Sequence, residues 1–216
     1  MPKVAQANKL SDVKLTYLRK FLHGDSILDV GAGYGYYSEW ISKNYPAAHV
    51  VALDQLQLPS PQEFEYLSTD LESAIPLPNN SFQTVVAFDI IEHINHEQPL
   101  LHELMRICKP GGHIIGSVPH DDDKFLPAYN LTFYHRSDVT NKRYYTPATL
   151  TQALEGAGFS LVTIDKQGVV SPQIIAEFFP HGSRWLIKKL IGLMRRTGIV
   201  NAKRLSSDLF FVARKG

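Results

Sequence analysis

The stretch ILDVGAGYGYYSEW, residues 27–40, places Gly31, Gly33 and Gly35 within five positions directly after an apolar run. Residues 26–30 read as a buried strand, and Tyr36 to Asn44 as a helix ended by Tyr45-Pro46. The glycines therefore make a strand-to-helix turn, where bare backbone supplies the tight bend and lets a ligand come close. The pattern is D-V-G-A-G-Y-G. A dinucleotide fingerprint, G-x-G-x-x-G, would carry its third glycine one residue later, packing helix on strand beneath a pyrophosphate. Asp29 adds a carboxylate at the strand end, which would repel a diphosphate and suits an ammonium or sulfonium. The ligand implied is cationic at one end and adenosine-like at the other.

Outward from this turn the chain alternates. A helix is expected over Leu10–Leu22, with apolar residues near a 3.6 period and Ser11 or Asp12 as cap. HVVALD (49–54), the weaker FEYLSTD (64–70), FQTVVAFDI (82–90) and HIIGSVP (113–119) read as strands, and His96 to Cys108 as a helix. Residues 109–112, KPGG, read as a sharp break. Pro147–Ala157 reads as a helix with Thr146 as cap, and FSLVTIDK and DLFFVARK as the last two strands. Strands alternating with helices at this spacing argue for a parallel sheet covered on both faces. Residues 120–146 are polar, aromatic and irregular, and a loop this long is usually functional.

These features resemble the class I S-adenosylmethionine-dependent methyltransferases, in particular the methyltransferase type 11 and ubiquinone-biosynthesis-like group. DVGAGYG is similar to the family's first motif, and VALD, STDL, IPLPNNSFQTVVAFDIIEHI and LMRICKPGGHIIGSVP follow in the family's order. The resemblance spans about residues 10–165 and resumes in the final strand. It implies an α/β fold: one Rossmann-like domain over residues 1–216, with a seven-stranded, mostly parallel sheet, an antiparallel last strand and helices on both faces. It implies S-adenosylmethionine as cofactor and S-adenosylhomocysteine as product. The implied contacts are Asp29, Gly31, Ala32, Gly33, Tyr34, Gly35, Asp54, Gln55, Asp70, Leu71, Phe88 and Asp89, with Asp54 on the ribose hydroxyls and Asp70 at the adenine amino group. A strand-end carboxylate suits the ribose because it accepts two hydrogen bonds. Asp70 could equally cap the next turn.

The reaction implied is methyl transfer to an oxygen, nitrogen or carbon of a small-molecule or lipid-like acceptor, lined by the segment after the fourth strand and by residues 120–146. Candidate proton acceptors are His93, Glu92, His120 and His135, since imidazole suits proton transfer near neutral pH. DIIEH (89–93) has the spacing at which relatives hold a divalent metal, so Asp89, Glu92 and His93 are candidate ligands. Asp is one methylene shorter than the family's Glu, and Asn141 stands where some relatives use a further His, so no metal is favoured. KRYYTP (142–147) resembles a segment that folds over the active site; its tyrosines could equally pack the lid. One rival reading is a nicotinamide-dependent oxidoreductase, opposed by the glycine spacing. The other is a non-catalytic protein of the same fold.

Composition narrows the setting. Cys108 is the only cysteine of 216 residues, so an internal disulfide is excluded and a reducing compartment is expected. No apolar run approaches transmembrane length, and no apolar leader precedes the first helix, which points to the cytoplasm. The net charge of +1 hides an asymmetry: nine of the 22 Lys and Arg, and only one of the 21 acidic residues, follow Phe179. Within this tail, SRWLIKKLIGLMRRTGIV reads as an amphipathic helix over about 183–197. Trp185, Leu186, Leu190, Leu193 and Met194 gather on one side and Lys188, Lys189, Arg195 and Arg196 opposite. Packing of its apolar face on its own sheet or on a second subunit is the preferred expectation; the alternative is peripheral contact with the inner face of an anionic membrane. Nucleic acid is not expected as a partner, because the tail interleaves apolar residues and lacks a nucleic-acid module.

Overall fold

The computed structural model describes residues 10–58, 63–122, 124–126, 131–132, 136, 138–169, 176, 179–197 and 206–216. Its main element is a seven-stranded sheet. In chain order the strands are β1 (Ser26–Val30), β2 (His49–Asp54), β3 (Glu65–Ser68), β4 (Phe82–Phe88), β5 (Cys108–Pro119), β8 (Phe159–Val169) and β9 (Ser206–Lys215). Spatially they run β3-β2-β1-β4-β5-β9-β8. β9 lies antiparallel to both β5 and β8, while the β1, β2, β3, β4 and β5 pairings are parallel. The expected antiparallel last strand is thus inserted next to the edge rather than at it.

Alternation along the strands explains why helices cover both faces. Ile27, Val50, Val86 and Phe88 point into one core with α1 (Asp12–Phe21) and α2 (Tyr36–Asn44). Leu28, Val51, Leu53, Val85 and Ala87 point into the other, under α3 (Glu97–Ile107) and α4 (Pro147–Gly156). β1 is buried along its whole length, as a strand between two parallel neighbours should be. In α3, Leu100, Leu101, Leu104 and Ile107 are buried at helical spacing. α4 begins with the expected Thr146 cap and Pro147, and Thr149 closes a reciprocal capping box.

The structure corrects several sequence expectations. KPGG is not a break between elements: it lies inside β5, as a bulge against β4 between the Phe82–Cys108 and Thr84–His113 pairs. Gly111 there has φ 75°, and a Cβ on Gly112 would stand 2.7 Å from the Gln83 carbonyl oxygen. β4 ends at Phe88, because Asp89 takes a left-handed φ of 51° and turns the chain. A separate 3₁₀ turn, Ile91–His93, precedes α3. Residues 120–146 are not wholly irregular, since β6 (Lys124–Leu126) and β7 (Leu131–Thr132) pair antiparallel. The basic segment forms α5 (Arg184–Arg196); none of its described side chains is fully buried, Ile187, Ile191 and Met194 being half-buried and Trp185, Leu186, Leu190 and Leu193 exposed. No described helix is long and apolar enough to cross a membrane.

Candidate active site

The crossovers change direction between β1 and β4, and the strand tips diverge there into the crevice where open α/β sheets bind ligands. The glycine turn sits at this point. Gly31 (φ 71°) donates its N–H to the Leu53 carbonyl at 2.8 Å, and Ala32 donates to the same oxygen at 3.0 Å. A Cβ on Gly31 would lie 2.5 Å from the Ile90 side chain, so only glycine lets the β1 tip approach the β4 tip. Gly33 also has positive φ, yet a Cβ there would meet nothing within 4 Å: it faces open space. Gly35, with φ 74°, occupies the N-cap position of α2.

Asp54 ends β2 and closes this turn. Its Oδ2 accepts the Gly33 N–H at 2.8 Å and its Oδ1 accepts the Leu56 N–H at 3.0 Å. Each carboxylate oxygen keeps a lone pair for a further donor. The Tyr66 hydroxyl donates to the Gly33 carbonyl at 3.0 Å, tying β3 to the turn. A cavity of about 470 Å³ opens beside these groups. Its walls include Asp54, Gln55, Asp70, Leu71 and Glu72 on one side and Ile90, His93 and Ile94 on another, with Val139, Thr140 and Lys142 over it. Asp70 also holds its own turn, its Oδ1 accepting the Glu72 N–H at 2.9 Å, as the turn-capping reading expects. A bare glycine, a carboxylate with spare lone pairs and an Ile-Leu wall fit a nucleoside bearing a cationic side chain.

Asp29 lies on the α1/α2 face of β1 and is buried. Ser38 of α2 donates to its Oδ2 at 2.6 Å. Burial is the main reason its carboxyl is pushed up to about 6; Ser38 and Lys14 oppose this, and the charge of Asp54 adds to it. Asp89 is ion-paired with Lys14 of α1 and accepts a hydrogen bond from Ser117 of β5. Lys14 is in turn held over the Tyr37 and Phe88 rings. Asp208 of β9 joins this group, its carboxyl pushed up to about 7 by burial and then by Asp89. Glu92 is 3% exposed, and its Oε2 has no hydrogen-bond partner among the described residues. Burial and the neighbouring Asp89 hold its carboxyl well above the usual range.

The sequence candidates therefore separate. Gln55, Asp70, Leu71 and His93 meet Asp54 around the cavity. Tyr34 is largely exposed beside the turn. Phe88 turns away, packing against Tyr37 and Phe210 in the α1/α2 core. His93 engages the Thr140 hydroxyl through Nδ1 at 3.1 Å, and the Glu92 carbonyl accepts the Lys142 N–H at 2.8 Å, so residues 138–142 close onto the 3₁₀ turn. His120 is in a different place. Its Nδ1 accepts the Asp122 N–H at 2.9 Å, beside the Asp121 and Asp122 carboxylates and near Lys166. Its pKa is lowered, first by burial and then by Lys166. His135 lies outside the described residues. Tyr145 is buried, donating to Glu97, which also pairs with Arg143 at 3.0 Å; it packs the lid's base.

Asp89, Glu92 and His93 do not bring three ligand atoms together. Among the described residues only His120, Asp121 and Asp122 do so, within 4.8 Å, and Lys166 already pairs with Asp122 there. Sequence reasoning missed Lys14, Asp208 and Ile90, whereas Val139, Thr140 and Lys142 fall within the expected 120–146 segment. Lys14 and Asp208 are 75 and 119 positions from Asp89, and no spacing rule links them.

A sheet of this order, with a bare glycine turn facing a strand-end carboxylate, defines a Rossmann-like S-adenosylmethionine-dependent methyltransferase. The family model matching residues 5–164 is that of a methyltransferase domain, and the chain belongs to this family. A probable S-adenosylmethionine-dependent methyltransferase from Mycolicibacterium smegmatis is 29% identical over 147 residues, 64% of this chain; the chain spans 53% of that relative's length. A ubiquinone biosynthesis O-methyltransferase from Hahella chejuensis is 25% identical over 189 residues, 79% of this chain and 78% of its own. The structure of an S-adenosylmethionine-dependent methyltransferase from Mesorhizobium loti superposes with a TM-score of 0.63 at 17% identity, covering 94% of this chain and 97% of that one. The cofactor is S-adenosylmethionine, and the nicotinamide alternative is set aside.

Proposed function

We propose that the protein methylates an oxygen of a small or lipid-like acceptor, as one domain whose 120–146 segment faces that acceptor. The observation that carries the reading is His93, which lines the same cavity as Asp54 and Asp70. Ubiquinone O-methyltransferases among the relatives support an oxygen nucleophile. When bound, the cofactor supplies a methyl group on a sulfonium, with its own leaving group. The chain supplies orientation, exclusion of water and a place for the proton. Asp54 accepts from the ribose hydroxyls, Leu71 and Ile90 flank the base, and Asp29 faces the cationic end. With Nδ1 engaged by Thr140, His93 uses Nε2 to take the proton of the acceptor hydroxyl as its oxygen bonds to carbon. Glu92, in the same 3₁₀ turn, steadies His93 through its backbone, its carbonyl accepting the Lys142 N–H at 2.8 Å.

The test uses methyl-tritiated S-adenosylmethionine with a panel of phenols and quinols and an extract of the source cells. The wild type should pass label to an acceptor and form S-adenosylhomocysteine. His93→Ala should lose about 100-fold or more in rate with cofactor affinity by calorimetry unchanged. Label passed equally well by His93→Ala would remove His93 from the role. Cofactor binding without labelled product from any source would favour the non-catalytic reading.

A further inference from the structure

α5 lies in the connection between β8 and β9, outside the cavity and its lining. Leu186, Leu190 and Leu193 follow one another at i, i+4 and i+7, so they share one stripe. With Trp185 they are 49–64% exposed, although large apolar side chains at successive turns normally find cover. Ile187, Ile191 and Met194 are half-buried and mark the side turned toward the body. The outer stripe is bordered by cations. Lys189 stands over the Trp185 ring, its Nζ 4.3 Å from the centroid. The helix carries Arg184, Lys188, Lys189, Arg195 and Arg196 and no acid, and none occurs from Phe179 until Asp208.

We propose that α5 docks the protein on an anionic lipid surface, with Leu186, Leu190 and Leu193 in the acyl boundary and Lys188 and Lys189 at the headgroups. Charge decides this occupant. A second copy docking through the same face would bring two helices that carry Lys188 and Lys189 and no acid against each other, a like-charge contact that an isologous interface disfavours. An anionic bilayer offers the complementary sign, contributing about 1 kcal/mol per cation near its surface. Length agrees: 13 residues reach about 20 Å, short of a bilayer's hydrocarbon core, so the helix lies in the interface plane. Tryptophan suits that depth because its ring is apolar and its N–H wet. Lysine reaches water from the same depth by extending its stem along the ring.

The experiment floats the whole protein with phosphatidylcholine vesicles, with and without phosphatidylglycerol. Binding is expected only with the anionic lipid. Trp185 emission, isolated in a Trp40→Phe background because the chain has two tryptophans, should shift to the blue on binding. Leu186→Ser/Leu190→Ser/Leu193→Ser and Lys188→Glu/Lys189→Glu should each cut partitioning at least about tenfold. Cofactor calorimetry checks that both variants remain folded, and this readout is independent of the acceptor. Equal flotation of wild type and both variants would overturn the proposal. So would vesicle-free self-association that the leucine variant abolishes, or RNA binding that the lysine variant alone abolishes without any flotation of the wild type.

Discussion

The two halves of the strand-tip crevice are built in opposite ways. On the β1-β2-β3 side, one carboxylate, Asp54, is satisfied by two backbone N–H groups of nearby residues. On the β4-β5-β9 side, Asp89, Glu92 and Asp208 crowd together, with Lys14 as the cation within their reach. The first half is a preformed cradle, complete in itself. The second buries Glu92 and Asp208, whose carboxyls are raised above the ordinary range first by burial and then by the charge of Asp89. The contrast matches the proposed roles, nucleoside binding on the first side and proton transfer by His93 beside the second.

Removing Asp54 should break the cradle outright. Asp54→Ala takes away the two ribose acceptors and frees the Gly33 and Leu56 N–H groups. S-adenosylmethionine affinity by calorimetry should fall about 100-fold or more, or ~3 kcal/mol. Unchanged affinity would end the assignment of this half. Asp29 sharpens the comparison, because it couples the halves. Its folded value of about 6 lies above the ordinary 3.8. The folded state therefore binds this proton more tightly; the stabilisation is full below the ordinary value and is lost as pH rises through 6. The cofactor-free wild type should gain stability on acidification from pH 7 toward 4, and Asp208, raised to about 7, acts in the same direction. Asp29→Asn should stabilise the cofactor-free protein at pH 7 by on the order of 2 kcal/mol, flatten part of that pH dependence in thermal melts, and weaken cofactor binding. The smallest effect is expected from Lys14→Met. Asp89 is half exposed, so losing its partner should cost about 1 kcal/mol at pH 7. The loss should shrink as pH falls and the neighbouring carboxyls take up protons, and a cost independent of pH would show that Lys14 acts by packing alone.

The same division runs through what could be read in advance. The glycine turn, Asp54 and Asp70 are each within about 20 residues of the next and sit at strand ends, where spacing maps onto space. The strand ladder was equally readable, because β1, β2 and β4 are short apolar runs bounded by turn residues. Phe88 shows the limit of this reading: it is next to Asp89 in sequence, yet alternation puts its ring in the α1/α2 core. His120 is a candidate by its place at the start of the 120–146 segment, but the parallel bridge to Tyr145 turns it toward Asp122 and Lys166. The tail's helix was readable as amphipathic; its exposed leucines were not, because periodicity says which face is apolar and not what covers it.

The sequence by itself determined the strand-turn-helix of residues 26–44, since that unit is local and its glycines are demanded by backbone geometry at φ of 55–74°. It also determined the charge of the tail and the succession of strands and helices along the chain. Only the tertiary structure decided that Lys14 pairs with Asp89, that Asp208 arrives beside them on the antiparallel strand, and that Glu92 is buried with one oxygen unpartnered among the described residues. Those contacts join positions tens of residues apart. Their energies depend on burial and mutual distance, which exist only once the sheet has closed around them.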